Sequence, residues 1–408
     1  MLCPKKSAKK ILLSCFLGAL FTITLAGAVK ATTSYDLLII GPESYRSSIE
    51  PFIDFKLKRA VDARFVSVES ISTNLQAEEL HGFIAKEYWQ SHIKFVLLIG
   101  TLEQVPTKYV YSPSFEEFAD FNYKPTDWYY GVPEWKDSEI GFLNGNIPKI
   151  AVGRLPVRND EELRITLSKI ISVETHVTTG NFIVYNDVDS TFEKQLDVSY
   201  ASYNRGVTQT PQPLTTLLNK AAYAITITHG SVSALHTKTI NNEWETLLSI
   251  NDITNINRRY NIHYIIACFT GALDLGNQSL AQTLITSPTG PALVIASSRT
   301  EVSNTPIAEH FWKAFFNNGD VGISFLEALQ SYISDASIFS SNEPKFDKYN
   351  LYLTKTLYGD PSWSLNSPQK VLTPSTSTEM ISLNRTQEQV LTLNYGTLLN
   401  LMLPHLTI

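Results

Sequence analysis

Between residues 34 and 176, short apolar runs alternate with longer segments in which apolar residues recur at helical spacing. A run that is apolar at every position is typical of a strand buried on both faces of a sheet. The predicted strands are SYDLLIIG (34–41), the end of segment 51–71, FVLLIG (95–100) and PKIAVGRLPV (148–157). The predicted helices are the start of segment 51–71, then 77–92 and 160–176. Such alternation predicts a parallel sheet covered by helices.

The same pattern returns in the second half of the chain. The predicted strands are NFIVYND (181–187), AAYAITITHG (221–230), IHYIIACFTG (262–271) and PALVIASS (291–298). The predicted helices are 279–285, 309–316 and 323–335. We therefore predict an α/β protein with two α/β subdomains, an N-terminal one over 32–177 and a second over 178–366.

Two segments depart from this pattern. Residues 111–137 are long, aromatic and proline-bearing, which predicts an extended functional loop between elements. Residues 367–408 begin as a Ser/Thr/Pro-rich linker and then alternate loosely, which predicts a short β-type C-terminal tail.

Composition excludes some classes of partner. The 408 residues are 43% hydrophobic and 18% charged, with a net charge of -6, as in a globular protein with a sizeable core. Basic residues are neither in excess nor clustered after residue 10, so we expect no nucleic-acid partner.

The N-terminus has the pattern of a secretory leader. MLCPKKSAKK carries four lysines and no acid, an uncharged stretch covers 11–29, and small residues suited to cleavage follow at 26–31. We expect residues 1–31 to be a signal peptide and the protein to be secreted or periplasmic, without stable membrane insertion after cleavage. The alternative is a retained anchor, since about 19 apolar residues can span a bilayer.

Removal of the leader changes the cysteine count. Of the three cysteines, Cys3 and Cys15 belong to the leader, so Cys268 remains alone in an oxidising compartment. A single thiol in an exported protein indicates reactive chemistry. The alternative is a buried, inert cysteine that only fills space.

His229 and Cys268 each follow an apolar strand of the same predicted sheet. Sites form at the carboxyl ends of parallel strands, which lie about 5 Å apart. An imidazole that accepts the thiol proton makes the sulfur a nucleophile, and the N–H groups of Gly230 and Cys268 are candidates to bind an oxyanion. The alternative is an ordinary capping or core histidine, since the chain has eight.

These residues carry a resemblance. ITHGS followed about 40 residues later by IIACFTGALD resembles the gingipain family of cysteine peptidases, related to caspases and legumains. FVLLIGTLEQVP, TDWYY, IAVGRLPV, SLAQTLI, ALVIASSRT and LYGDPSWSL follow the family pattern in order, over about 35–366. The resemblance implies a caspase-like three-layer sandwich, with Cys268 as nucleophile and His229 as general base.

The resemblance also implies an acid that orients the histidine, at the end of the first strand of the second subdomain. Asp187 is the candidate and Asp189 the second choice, with a strand-end turn residue as the alternative. Glu193 and Asp197 are candidates for a pocket that binds a basic residue, with solvated surface charge as the alternative. Two positions depart from the family: Gln282 replaces an acid, and no Trp follows shortly after His229.

The sequence therefore predicts a secreted cysteine endopeptidase that cleaves protein or peptide substrates through a thioester acyl-enzyme. A catalytically silent binding or assembly module and a transpeptidase of the same fold are the alternatives. We expect no cofactor. A calcium site at YNDVDST (185–191) is conceivable from its acids, and an ordinary polar turn is favoured over it.

Overall fold

The computed structural model describes residues 34–112, 121–136, 146–187, 201–204, 213–238, 242–276, 278–301, 306–335 and 345–366. The strands in these ranges are β1 (Leu37–Gly41), β2 (Ala63–Ser67), β3 (Phe95–Ile99), β4 (Lys108–Tyr111), β5 (Tyr123–Thr126), β6 (Ala151–Leu155), β7 (Asn181–Asn186), β8 (Ala201–Asn204), β9 (Ala221–Ile227), β10 (His229–Gly230), β11 (Ala234–Lys238), β12 (Trp244–Ser249), β13 (Arg259–Ile266), β14 (Gly290–Ser297) and β15 (Lys355–Tyr358). The α-helices are α1 (Arg46–Lys58), α2 (Val68–Ile71), α3 (Ala77–Ser91), α4 (Trp128–Gly131), α5 (Asp160–Thr175), α6 (Leu214–Leu218), α7 (Leu280–Thr286), α8 (Pro306–Asn318), α9 (Val321–Ser334) and α10 (Lys345–Thr354).

Ten strands form one sheet in the order β2-β1-β3-β6-β15-β14-β13-β9-β7-β8. Adjacent strands are parallel except at the β14–β15 pair, so the two halves of the sheet run in opposite directions. The predicted α/β class is confirmed. The predicted subdomain boundary at 177/178 falls between α5 and β7, and the sheet is continuous from β6 through β15 to β14.

Both faces of this sheet are covered, which explains the fully apolar strands. Along β1, Leu37 and Ile39 belong to one buried cluster, while Leu38 and Ile40 belong to a second cluster. Successive side chains of a strand point to opposite faces, so a strand between two helical layers needs apolar residues at every position.

A buried ion pair links two stretches that resembled the family. Arg154 on β6 donates from Nε to Oδ2 of Asp127 at 2.7 Å and from Nη2 to Oδ1 at 2.8 Å. Its Nη1 also donates to the carbonyl oxygen of Val105 at 2.9 Å. The Gly-Arg motif therefore ties β6 to the turn that precedes α4, through a bidentate pair of the strong kind.

A second buried ion cluster holds the Gly-Asp-Pro motif. Lys56 of α1 contacts the carboxylates of Glu174 and Asp360, and its Nζ lies 2.7 Å from Oε2 of Glu174. Arg59 approaches the same Glu174 at 3.7 Å and donates to the carbonyl oxygen of Ser364 at 3.2 Å. The cluster joins α1, α5 and the segment after β15.

The loop prediction for 111–137 is wrong in part. β4 and β5 pair as an antiparallel ribbon, and α4 follows at once, because Thr126 Oγ1 accepts from the Trp128 N–H at 3.2 Å. The prolines and aromatic residues of this segment favoured a loop, so the sequence did not predict the ribbon. The predicted leader (1–31) and tail (367–408) lie outside the described residues. Within the described ranges, no helix has the length and apolar character needed to cross a membrane.

Candidate active site

The strands that precede His229 and Cys268 are neighbours. β9 and β13 are parallel with Ile227 opposite Ile266, and the Thr228 N–H donates to the Ile266 carbonyl oxygen at 3.1 Å. His229 and Cys268 each stand two residues beyond that pair. The fold therefore brings both residues to the carboxyl edge of the second half of the sheet, at the same level of adjacent strands.

The chain approaches itself closely at this edge. A Cβ placed on Gly230 would stand 2.6 Å from the Cys268 carbonyl oxygen and 2.9 Å from the Ala267 Cβ. Such distances are shorter than real Cβ contacts, so this position requires a residue without a side chain. Gly230 therefore lets the backbone after His229 pack directly on the backbone of Cys268.

The Cys268 sulfur lies against the main chain of Glu301. The Glu301 N–H donates to Sγ at 3.3 Å, and Sγ lies 3.5 Å from the Glu301 carbonyl oxygen, which accepts from the S–H. Burial raises the pKa of the Cys268 thiol, while the Glu301 N–H opposes that rise. The next residue, Phe269, has a φ of 62°, which is uncommon for a non-glycine residue and is found at strained functional turns.

Two buried charges lie behind this sulfur. The Glu301 carboxylate pairs with the Lys355 ammonium, and both side chains are essentially inaccessible. Lys355 also donates to the carbonyl oxygen of Ile265 on β13 at 3.1 Å. Neither residue was singled out from the sequence. The one available signal was a lysine inside the otherwise apolar run that precedes Gly-Asp-Pro.

The His229 side chain is exposed to solvent at the carboxyl edge of the sheet. Its ring meets the ring of Trp244 edge to face, with centroids 4.9 Å apart, and Trp244 itself is 60% exposed. The missing Trp after His229 thus has a counterpart 15 residues later, on β12. The three-stranded β10–β11–β12 sheet brings Trp244 to this position, and the sequence did not predict the contact.

Asp187 follows β7, the strand on the other side of β9. Its N–H donates to the Ile227 carbonyl oxygen at 3.2 Å, and its Oδ2 accepts from the Thr228 hydroxyl at 3.0 Å. That hydroxyl also contacts the His236 carbonyl oxygen. In the described part of the chain, the buried Oδ1 of Asp187 has no hydrogen-bond partner. Asp187 therefore contacts the residue next to His229, and no hydrogen bond joins it to the His229 ring there.

The candidate oxyanion donors are Gly230 and Cys268. The Ser231 N–H donates to the Ala234 carbonyl oxygen at 2.8 Å, and hydrogen-bonded positions alternate along an antiparallel ladder. The Gly230 N–H therefore points away from β11. Among the described residues, no backbone carbonyl accepts from the Cys268 N–H.

Several other predicted residues lie outside the part of the chain that the structure describes. Asp189, Glu193 and Asp197 lie outside the described residues, as does most of the 185–191 stretch considered for calcium. Within the described ranges, no three His, Cys, Asp or Glu side chains cluster to hold a metal ion. Gln282 is buried, and its Nε2 donates to the Pro156 carbonyl oxygen at 2.7 Å, a bond that an ionised acid cannot donate.

Comparison with known proteins gives a family match over most of the chain. The model of peptidase family C25 matches residues 30–366. Gingipain R2 of Porphyromonas gingivalis is 24% identical over 145 residues, which make up 35% of this chain and 17% of that protein. Gingipain R1 of the same organism is 23% identical over 145 residues, 35% of this chain and 13% of its own length. The chain thus aligns with less than a fifth of these curated relatives.

Solved structures share the fold. The crystal structure of the Arg specific cysteine proteinase gingipain R matches with a TM-score of 0.63 and 18% identity, covering 83% of this chain and 79% of that one. The complex of Porphyromonas gingivalis RgpB pro- and mature domains matches with the same score and identity, covering 81% and 80%. The caspase-like α/β class and the predicted resemblance are thereby confirmed. The chain belongs to peptidase family C25, the gingipain-like cysteine peptidases.

Proposed function

We propose that this chain is an exported cysteine endopeptidase whose nucleophile is Cys268 and whose general base is His229. The observation that carries the proposal is the register of β9 and β13, two adjacent parallel strands after which both residues stand at one level. In a chain of family C25, this register supports hydrolysis of a peptide bond through an acyl-enzyme, because it puts the backbones that carry the thiol and the imidazole side by side.

The proton balance follows from the burial of the sulfur. Burial raises the pKa of Cys268, so the resting group is a neutral thiol whose proton the Glu301 carbonyl oxygen accepts. Attack on the scissile carbonyl forms the C–S bond while His229 takes the thiol proton. His229 then gives this proton to the leaving amine, and a thioester remains. Water attacks the thioester while His229 takes a proton from the water; the C–S bond then breaks, the carboxylic acid product leaves, and His229 returns the proton to the sulfur.

The negative oxygen that develops during attack needs donors. The N–H groups of Gly230 and Cys268 are the candidates, because the ladder alternation turns the Gly230 N–H away from β11, no described carbonyl accepts from the Cys268 N–H, and the two backbones are in contact. One such donor contributes about 3 kcal/mol to transition-state stabilisation in comparable sites.

Asp187 is proposed to act through its neighbour. Its hydrogen bond with Thr228 holds the residue that precedes His229. Asp187 is therefore a positioning residue in this proposal, which orients the imidazole through the backbone.

The proposed substrates are proteins or peptides. One structural relative is described as Arg specific, and Glu193 and Asp197 are the acids proposed to favour a basic residue before the scissile bond. The leader of residues 1–31 supports export. N-terminal sequencing of the exported protein tests cleavage of the leader: a start near residue 32 supports it, and an intact Met1 contradicts it in favour of a retained anchor.

The catalytic proposal is tested by labelling with a peptidyl electrophile and by peptidase assays on a peptide library. We expect the wild type to be labelled at Cys268, Cys268→Ala to lose both labelling and activity, and His229→Ala to slow both by about 100-fold or more. His310→Ala on α8 is the matched histidine control and is expected to retain wild-type rates.

Two outcomes contradict the proposal. Wild-type activity in Cys268→Ala excludes the sulfur as the nucleophile. A folded wild type that is never labelled and cleaves no peptide in the library supports a catalytically silent binding module instead.

A further inference from the structure

The Lys355–Glu301 ion pair occupies an unusual place for two charges. Both side chains are at most 1% exposed, and the main chain of Glu301 donates to and accepts from the Cys268 sulfur. Desolvating two charges costs about as much as their attraction returns, so a buried pair contributes little net stability by itself. Because the main chain of Glu301 contacts the candidate nucleophile, the pair is suited to a different role.

The fold creates this juxtaposition from distant parts of the chain. β15 is antiparallel to β14, and Lys355 at its start is paired with Ser297 at the end of β14. Glu301 follows four residues after Ser297, and Lys355 Nζ reaches across to the Ile265 carbonyl oxygen on β13. The ammonium thus lies between β13, which leads to Cys268, and the segment that holds its sulfur.

We propose that Lys355 and Glu301 are positioning residues that jointly set the charge state of the Cys268 sulfur. Lys355 favours the thiolate, Glu301 favours the neutral thiol, and their ion pair anchors the Glu301 main chain against Sγ. This inference rests on the proposed role of Cys268 as the nucleophile and adds two residues to the catalytic region.

The charges around the sulfur support opposite effects of the two partners. Burial raises the pKa of the Cys268 thiol and the Glu301 N–H lowers it; of the two charged groups, the Glu301 carboxylate raises this pKa and the Lys355 ammonium lowers it. Burial likewise raises the pKa of Glu301 and lowers that of Lys355, and each partner offsets the shift of the other.

The remaining elements at this edge of the sheet also carry charged or titratable groups. His229 lies on β10, with His236 opposite it on β11. Arg299, two residues before Glu301, pairs with Asp274 of the loop after Cys268, so these two charges offset each other. Among the described residues, Lys355 and Glu301 are the charged side chains that act on the pKa of the Cys268 thiol.

The test measures the alkylation rate of Cys268 by iodoacetamide as a function of pH, using the full chain and mass spectrometry of the Cys268 peptide. Cys3 and Cys15 fall on other peptides and do not interfere. The midpoint of the rate profile reports the thiol-to-thiolate transition.

Opposite shifts are expected from the two single variants. Glu301→Gln removes the carboxylate that raises the thiol pKa, so the midpoint falls, and Lys355→Met removes the ammonium that lowers it, so the midpoint rises, each by about one pH unit. The double variant is expected to return close to the wild-type midpoint. Lys169→Met, which removes another fully buried lysine, is expected to leave the profile unchanged.

A merely structural role predicts a different result. Loosening of the site exposes the thiol and moves both single variants in the same direction, and this outcome, or no shift in either, overturns the inference. If Lys355→Met does not fold, Glu301→Gln and the charge-retaining Lys355→Arg test the inference instead. The midpoint of Glu301→Gln must then fall, and the midpoint of Lys355→Arg must stay near the wild-type value. Alkylation does not require peptide cleavage, so a lack of peptidase activity contradicts the proposed function without affecting this test.

Discussion

Gly230 and Cys268 are in backbone contact, with the position of a Cβ on Gly230 only 2.6 Å from the Cys268 carbonyl oxygen. The same hypothetical atom would stand 3.0 Å from Cγ2 of Thr270. The contact joins the end of β9 to the end of β13, and it sets how closely the two candidate oxyanion donors approach each other.

Gly230→Ala is therefore expected to separate these two segments. We expect a loss of about 1–3 kcal/mol in the free energy of unfolding, because the obstacle is backbone and cannot rotate away. Electrophile labelling of Cys268 is expected to slow at least tenfold. Gly82→Ala in α3 is the control: a Cβ there meets nothing within 4 Å, and Ala is expected to add about 0.5–1 kcal/mol of stability. Wild-type stability and labelling in Gly230→Ala would contradict the contact.

Asp187 is expected to affect turnover more than binding. Asp187→Ala removes the acceptor of the Thr228 hydroxyl, and a hydrogen bond to a charged group contributes about 1.5–3 kcal/mol. If the hydrogen bond stabilises the transition state and not the bound substrate, its loss lowers kcat about tenfold or more and leaves KM unchanged. Thr228→Val is expected to show the same split, whereas Thr175→Val, at an exposed helix end, keeps wild-type kinetics. A change confined to KM would argue against orientation of His229.

His263 is expected to make the protein acid-sensitive. It is fully buried between Thr226 and Tyr260, whose hydroxyls lie 2.9 and 3.0 Å from its ring nitrogens, and burial lowers the pKa of His263 to about 3. In the unfolded chain the imidazole titrates near 6.5, so between pH 6.5 and 3 the unfolded state binds the extra proton. The stability from this neutral histidine is complete above pH 6.5 and is lost as the pH falls.

Between pH 7 and pH 4.5 this loss amounts to about 3 kcal/mol. Urea unfolding at the two pH values measures it. His263→Gln keeps a donor and an acceptor but does not titrate, so its stability is expected to change less between the two pH values. An equal loss in wild type and variant would assign the acid sensitivity to other groups.

The cluster of Lys56, Glu174 and Asp360 is expected to be sensitive to removal of its cation. Lys56→Met leaves two buried carboxylates facing each other, which costs about 3–5 kcal/mol in the free energy of unfolding. Lys94→Met is the control, because the Lys94 side chain is 63% exposed and its pair with Asp36 contributes at most about 1 kcal/mol. Denaturant unfolding measures the loss of stability in Lys56→Met and in Lys94→Met. Equal losses would contradict the expectation that removing a buried cation costs more than removing an exposed one.

Much of the fold was readable from the pattern of apolar residues. Strands such as Phe95–Ile99 and Ala221–Ile227 are apolar at nearly every position, and helices such as Asp160–Thr175 begin at a side-chain cap, Asn159. Both signals are local, because they depend on covering two faces of a sheet and on satisfying the first N–H groups of a helix. The ribbon of β4 and β5 and strand β15 carried no such pattern and were missed.

The sequence by itself determined the α/β class, and it marked His229 and Cys268 as residues that each end an apolar strand. It also carried the family resemblance. Only the tertiary structure decided that β9 and β13 are adjacent and in register, that Trp244 meets the His229 ring, and that Asp187 contacts Thr228.

It likewise brought Lys355 to Glu301 behind the sulfur, across 54 residues of chain. The physical reason is that strand order and direction arise from the packing of the whole sheet. The antiparallel pairing of β15 with β14 reverses the direction between the two halves of the sheet, and it brings a lysine at the start of β15 to the carboxyl edge of the second half. No local spacing in the sequence encodes that meeting.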